Sequence, residues 1–373
     1  MSKAAFIYGG TLTNPFFGEE HVLKPSRIQY TYELLECYKA FREPSSRVVP
    51  PREATSDDLL PFHTPGYTEA VKSISDGETR FDPAAYNFSP YGDNPPYPGM
   101  FEAAIAPVGA SLLAAQIVAD GEADVAFNAS GGLHHAAPNR ASGFCIFNDV
   151  VIAINYLLGR GMRVCYIDID AHHGDGVQNA FYSSNKVITI SFHEWGKFLF
   201  PGTGDVDEIG VGDGAGYSVN IPFMPYADDE TYLWVFPQLV PPLVESFKPD
   251  IVVTQLGADT HYLDPLTHLA LTTEGYTELV RRMDSLSPRW LALGGGGYAE
   301  GVVPRMWTLA YGVMAGMEWP DEIPPEYQER YGIKRLRDSE KPAIDDGIKQ
   351  QTHHFAEVVV KEIKERVFPF HGL

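Results

Sequence analysis

The sequence predicts an α/β protein built on an open parallel sheet, and three features carry that expectation. Short apolar runs rich in β-branched residues alternate with stretches of helical period along most of the chain. The run Val164–Ile169 is almost wholly apolar, as a strand buried on both faces of a parallel sheet must be. Glycines, histidines and aspartates then collect immediately after such runs, at the strand ends where open α/β sheets bind ligands.

In chain order, Ala4–Tyr8 reads as a first strand, followed by a loop containing Asn14-Pro15 and His21. Ile28, Tyr32, Leu35 and Tyr38 recur at helical spacing within Arg27–Phe41, with Ser26 in the position of a cap. Glu43–Pro65 is rich in proline and charge and reads as surface loop with short turns. Tyr86–Pro98 holds four prolines and four aromatics in thirteen residues, the composition of an ordered loop that is either a rim over a site or a rigid cover. Phe101, Ile105, Val108 and Leu112 mark a helix to Val118 that Pro107 should kink or split. Asp124–Asn128 is a strand, and an apolar helix follows Val150 and ends near Gly159. Further strands are expected at Val187–Ser191, Ile251–Gln255 and Trp290–Leu293. A helix over Phe355–Val367 packs either on the body or on another subunit.

At 373 residues the chain could hold two domains by length, but no low-complexity linker divides it. Its 44% hydrophobic and 12% aromatic residues suffice for a large core. A formal charge of −21 argues against nucleic acid, whose phosphates need Lys and Arg, and would steer a lysine-rich partner favourably. Cys37, Cys145 and Cys165 are too few and scattered for a disulfide framework, which suits a reducing cytoplasm. Neither a signal-like N-terminus nor a long uncharged membrane span is read from the sequence.

The chemistry concentrates after two strands. Asp168, Asp170, His172, His173 and Asp175 crowd the end of Val164–Ile169, and ionisable groups so placed need a metal, a network or full exposure. Asp170 and His172, two apart, would point the same way from an extended exit and offer an oxygen and a nitrogen to a divalent ion. Asp259 arrives at a third strand end and would complete three ligands with one open position, the pattern of catalytic zinc. Ser130-Gly131-Gly132-Leu133 delivers His134 and His135 together, which suits acid and base roles. Gly294–Gly297 could cradle a phosphate, but neither GxGxxG nor P-loop spacing is present and no lysine follows.

Five blocks resemble the zinc-dependent histone deacetylase superfamily: Gly131–Ala136, Ser142–Cys145, Asp168–Val177, Phe200–Gly204 and Gly294–Tyr298. Pro98–Ala104 and Gly257–His268 look most like its bacterial branch, the acetoin utilization proteins. The resemblance implies the arginase/deacetylase fold, a single α/β domain with an eight-stranded parallel sheet. It implies a catalytic domain over residues 1–319, with 320–373 as an extension packed on the same domain. By position it implies that Asp170, His172 and Asp259 hold Zn2+, which Fe2+ could replace. His134 and His135 match the paired histidines, with Asp168 and Asp175 as their respective partners, and Tyr298 matches the catalytic tyrosine. Phe144, beside Gly143, and Phe200 match the aromatic walls around the lysine stem, and Arg27 matches the arginine of the cavity below the metal. Structural K+ would use Asp168, Asp170, His172, Ser191 and Phe192, and a second set near Phe181, Ser184, Val187 and Tyr217. Asp93 falls where eukaryotic members hold the substrate backbone, though Pro98 departs from their acidic residue; His261 and Tyr262 are further rim candidates.

These residue types suit amide hydrolysis. A metal polarises the carbonyl and activates water, His135 with Asp175 is the better candidate for base and then acid, and His134 with Asp168 either tunes the electrostatics or shares the proton transfer. Tyr298 would donate to the oxyanion. Two phenylalanines would accept neutral acetyl-lysine better than charged lysine. The expected reaction is release of acetate from N6-acetyl-lysine in cytoplasmic proteins, with small acetylated amines or polyamines as the alternative substrate and a homo-oligomer allowed. A binuclear ureohydrolase would need an aspartate where His261 stands, and a silent acyl-lysine binder would not need Tyr298.

Overall fold

The computed structural model describes residues 2–13, 17 and 21–373; Asn14-Pro15 of the expected loop lies outside the described residues. Eight strands, paired in parallel throughout, form one sheet: β1 (Ser2–Ile7), β2 (Ser46–Val49), β3 (Ala123–Asn128), β4 (Val164–Asp168), β5 (Val187–Glu194), β6 (Ser218–Phe223), β7 (Ile251–Gln255) and β8 (Trp290–Leu293). Their order is β2-β1-β3-β8-β7-β4-β5-β6. Sequence neighbours β3 and β4 are thus separated by β8 and β7, and these four adjacent strands open on one crevice at their C-terminal ends.

The alternation of side chains along each strand sorts the helices into two layers. Cys165 and Ile167 face one layer and Val164 and Tyr166 the other, all of them buried. The first layer contains α1 (Ser26–Cys37), and the second contains α4 (Met100–Ala119) and α5 (Asp149–Gly159) after the short α2 (Ser56–Leu59) and α3 (Pro65–Ser75). α6 (Asp175–Phe181) joins the second layer; α7 (Asp229–Phe247), α8 (Thr273–Asp284) and α9 (Val303–Ala315) join the first. Burying each large aliphatic side chain here stabilises the fold by about 1.5–3 kcal/mol relative to exposure.

Several local expectations are corrected. Ser26 is not the cap of α1: Pro25 occupies that position without a side-chain hydrogen bond, and Ser26 is already helical. Pro107 does not split α4, which runs unbroken for 20 residues. This helix is long and apolar enough to cross a membrane, yet 78% of its apolar window is buried inside the protein, so packing accounts for its composition. The stretch 43–65 contains β2 and α2 rather than loop alone. β2 is an edge strand, where the exposed Arg47–Glu122 ion pair and a following proline are tolerated. β6, also an edge strand, holds Pro222, which explains why its residues did not read as a strand.

The C-terminal segment folds onto this body through α10 (Pro325–Tyr331), α11 (Asp346–Arg366) and α12 (Phe368–His371). α11 lies on α7 and β6, with Val359, Val360 and Ile363 in the same core as Leu239 and Leu243. It begins nine residues before the periodicity around Phe355 marked it.

Candidate metal centre and active site

Four loops converge at the C-terminal ends of β3, β8, β7 and β4. Asp170 and His172 follow β4, and Asp259 follows β7; one donor atom from each lies within 4.8 Å of the others, an arrangement able to hold a metal ion. His172 Nδ1 is 3.0 Å from Asp170 Oδ1 and 3.1 Å from Asp259 Oδ2. The donor set fits a divalent ion. Both carboxylates are almost wholly buried, and burial followed by the charge of Asp170 raises the pKa of Asp259 above the ordinary carboxylate value. Two buried carboxylates side by side repel, and a dication between them removes that repulsion. Gln255 completes their support: its Nε2 donates to Asp170 Oδ2 at 2.6 Å, and its Oε1 accepts from Gly257 N at 2.7 Å. Gly296 N donates to the same Asp170 oxygen at 2.7 Å, while its missing Cβ would collide with the Asp259 carboxylate.

The paired histidines follow β3. His134 Nδ1 is 2.7 Å from Asp168 Oδ2, and His135 Nδ1 is 2.7 Å from Asp175 Oδ1. Their Nε2 atoms are 3.0 Å apart; with both Nδ1 protons directed to the aspartates, a further proton between the Nε2 atoms makes the pair a single imidazolium. Burial disfavours that charge on His134, but Asp168 and Asp170 outweigh it and lift its pKa to about 9. Burial and then the charge of His134 bring His135 down to about 4 despite Asp175. Opposite shifts in adjacent groups separate a charged partner from a neutral, proton-accepting one.

Support for this pair was not legible from motif positions alone. Tyr166 donates to Asp168 at 2.6 Å. The carboxylate of Asp149, fully buried at the start of α5, accepts from Gly132 N and Leu133 N at 3.1 and 2.8 Å, and Ser111 donates to it. Asn148 Nδ2 holds the carbonyls of His134 and Ala136. The signal for these residues was a consecutive Asn-Asp pair opening an otherwise apolar helix.

Tyr298, Phe144, Gly143, Arg27, both paired histidines and Asp170 line one narrow cavity. Burial raises the Tyr298 phenol well above its ordinary pKa, so it keeps its proton as a donor. Phe144 adopts φ 65°, a left-handed conformation unusual outside glycine and often found at functional sites. Its ring meets Tyr298 edge-on at 5.8 Å, and the ring of Phe200, 42% exposed, meets His135 at 5.0 Å. Gly143 permits this approach, since a Cβ there would lie 2.5 Å from the His135 ring and 2.8 Å from Phe200. Arg27 is buried, stacks over Trp307 at 5.0 Å and donates to Gly297 O at 3.0 Å.

These geometries precede a clear family match. Residues 21–314 match the model described as "Histone deacetylase domain". The chain belongs to the histone deacetylase family. As a member it is a hydrolytic deacetylase acting on amides. It is 43% identical over 338 residues to the acetoin utilization protein AcuC of Bacillus subtilis, covering 88% of this chain and 86% of that protein. It is 38% identical over 332 residues to human histone deacetylase 1, covering 88% and 68% of the two chains. Histone deacetylase 2 of Oryza sativa subsp. japonica is 39% identical over 333 residues, with 88% and 65% covered.

Other expected site residues lie elsewhere in this deacetylase. Asp168 and Ser191 are register partners across β4 and β5, and Phe192 follows in the core. Phe181, Ser184, Val187 and Tyr217 gather near the opposite end of β5, where Ser184 N donates to Phe181 O and Thr189 N to Tyr217 O. Asp93 is exposed, with its backbone carbonyl 3.4 Å from His21 Nε2. His21, not singled out for the site, also packs edge-on to Phe144 at 4.7 Å. His261 is no rim residue: its side chain is fully buried, with Nε2 2.9 Å from Asp338 Oδ2. Tyr262 stacks on it at 4.5 Å and remains partly exposed.

Proposed function

We propose that this deacetylase hydrolyses the acetamide of N6-acetyl-lysine in proteins, with Asp170, His172 and Asp259 holding Zn2+, a site that also accepts Fe2+. The observation that carries the reading is the shared cavity lined by Tyr298, the linked His134–His135 pair, Asp170 and Phe144. When bound, the ion would polarise the amide carbonyl and lower the pKa of the attacking water.

The chain's own residues do the rest. His135, oriented by Asp175 through Nδ1, gives up the Nε2 contact with His134 to take the proton released from water on that nitrogen, and returns it to the departing amine. His134, held by Asp168, tunes the electrostatics of the pair or shares the proton transfer. Tyr298, kept protonated by burial, donates to the oxyanion. Phe144 and Phe200 enclose the alkyl stem, and desolvation there favours neutral acetyl-lysine over the free ammonium of the product. Asp93, exposed beside His21 at the rim, receives backbone amides of a peptide.

The same reading puts the enzyme in the cytoplasm and K+ at the two sets around β5, and treats residues 320–373 as an extension packed on the catalytic domain. The test measures acetate release by chelated protein, before and after Zn2+ or Fe2+, from an acetyl-lysine peptide and from acetylated polyamines. Metal-restored peptide activity that falls about 100- to 1000-fold in Tyr298→Phe is expected. Turnover of polyamines alone would replace the protein substrate by a small amine, and a metal count near two per chain would overturn the mononuclear site.

A further inference from the structure

We propose that Asp338, in the segment between α10 and α11, is a positioning residue for Tyr298 that acts on both loops flanking it. The proposal rests on Tyr298 being the oxyanion donor. Tyr298 follows four glycines, of which Gly295 and Gly297 have φ of 121° and 129°, so its own backbone restrains it little. Its position must be fixed from outside. Arg27 and Asp170 hold Gly297 O and Gly296 N, and the contact to Tyr298's own backbone is Asp264, whose Oδ2 accepts from Tyr298 N at 2.8 Å.

Asp264 is itself held in a turn that His261 closes. Asp264 N donates to His261 O at 2.8 Å, and His261 Nδ1 accepts from Leu263 N at 3.1 Å. Because Nδ1 accepts, Nε2 carries the ring proton and donates to Asp338 Oδ2 at 2.9 Å. The second route runs through α9. Asp338 Oδ1 accepts from Arg305 Nη1 at 2.9 Å, and Arg305 Nε donates to Gly301 O, three residues beyond Tyr298, at 2.9 Å. Asp338 also exchanges two hydrogen bonds with Thr273, Oδ2 accepting from its amide at 2.8 Å and Asp338 N donating to its hydroxyl at 3.0 Å.

The side chains of His261, Asp338 and Arg305 are 0%, 6% and 9% exposed, so water does not substitute for these contacts. A single carboxylate therefore joins the turn before Tyr298's anchor to the loop after it. A displacement of about 1 Å at a reacting group can cost about 100-fold in rate. Asp338→Asn keeps the size of the side chain but cannot accept from both Arg305 and His261 as a carboxylate does. The expected loss is about 10-fold in kcat, with KM and metal affinity within about twofold of wild type.

The decisive experiment is a cycle of Asp338→Asn and Tyr298→Phe, assayed for acetyl-lysine peptide turnover, with hydrogen exchange followed over 261–264 and 296–302. Asp338→Asn should lower kcat only where Tyr298 is present, and should raise exchange in both segments while leaving α5 unchanged. Thr273→Val, which removes an Asp338 contact outside both routes, should leave kcat near wild type. His261→Gln cuts one route alone and should reproduce part of the kcat loss, which keeps the test open if Asp338→Asn folds poorly. Equal losses with and without Tyr298, or unchanged exchange at 296–302, would overturn the proposal. Full activity in Tyr298→Phe alone would instead overturn the oxyanion reading on which it rests.

Discussion

Gly296→Ala tests whether the carboxylates at the strand ends are metal ligands without removing either of them. Gly296 is not among the glycines with positive φ, so alanine meets no backbone penalty there. Its Cβ, however, would overlap the Asp259 carboxylate oxygen, sit 2.7 Å from Asp259 Cγ and lie 2.8 Å from Asp170 Oδ2. Non-bonded carbon contacts settle near 3.5–4.0 Å, so Asp259 must retreat by roughly 1 Å. Metal–ligand distances tolerate about 0.2 Å. The displacement should weaken metal binding by at least about 10- to 100-fold, or roughly 1.4–2.7 kcal/mol. In the metal-free protein the two carboxylates are merely pushed apart, and the cost should stay within the 1–3 kcal/mol typical of overpacking. Zn2+ and Fe2+ affinities measured by competition with a chromophoric chelator, together with the metal-dependent gain in Tm, separate the two effects. Wild-type affinity in the variant would refute the assignment of Asp259 as a ligand.

Gln255→Leu should weaken metal binding by about 10-fold or more and lower kcat, because Asp170 loses its 2.6 Å donor; chelator competition and steady-state kinetics check this. Phe200→Ala should raise KM for an acetyl-lysine peptide by about 10-fold with kcat nearly unchanged, since a half-exposed ring contributes about 1–2 kcal/mol of contact. Ile167→Ala, on the central strand, should destabilise the protein by about 2–5 kcal/mol in urea unfolding followed by circular dichroism. Burial opposes the charge of Asp338, but the bond from His261 prevails and depresses its pKa well below the carboxylate range. A depressed pKa adds stability above the unfolded value near 4 that is lost as pH falls through the folded one. The Tm difference between wild type and Asp338→Asn should therefore be full at neutral pH and shrink below about pH 4.

The central strands and both His-Asp clusters were legible because their signals are local. β7 and β8 fall on the residues that apolar runs marked, and β4 differs by one at its end. Edge strands were harder: β2 carries Arg47 and β6 carries Pro222, residues that only an unpaired edge tolerates, so neither run resembles a buried strand. His261 reads as a rim candidate in the sequence, but the turn carries it inward to Asp338. No spacing rule links positions 77 residues apart.

The sequence by itself determined the class of sheet, the strand ends that deliver Asp170, His172, Asp259, His134 and His135, and the resemblance that implies the roles proposed for them. Those properties depend on neighbours within a few residues, through side-chain period, turn chemistry and the cost of burying charge. Only the tertiary structure decided that Gln255 and Gly296 share one oxygen of Asp170, that Asp149 holds the turn before His134, and that Asp338 spans the loops around Tyr298. Hydrogen bonds and steric contacts act within about 3 Å, and which distant residues come that close is set by the order of strands in the sheet.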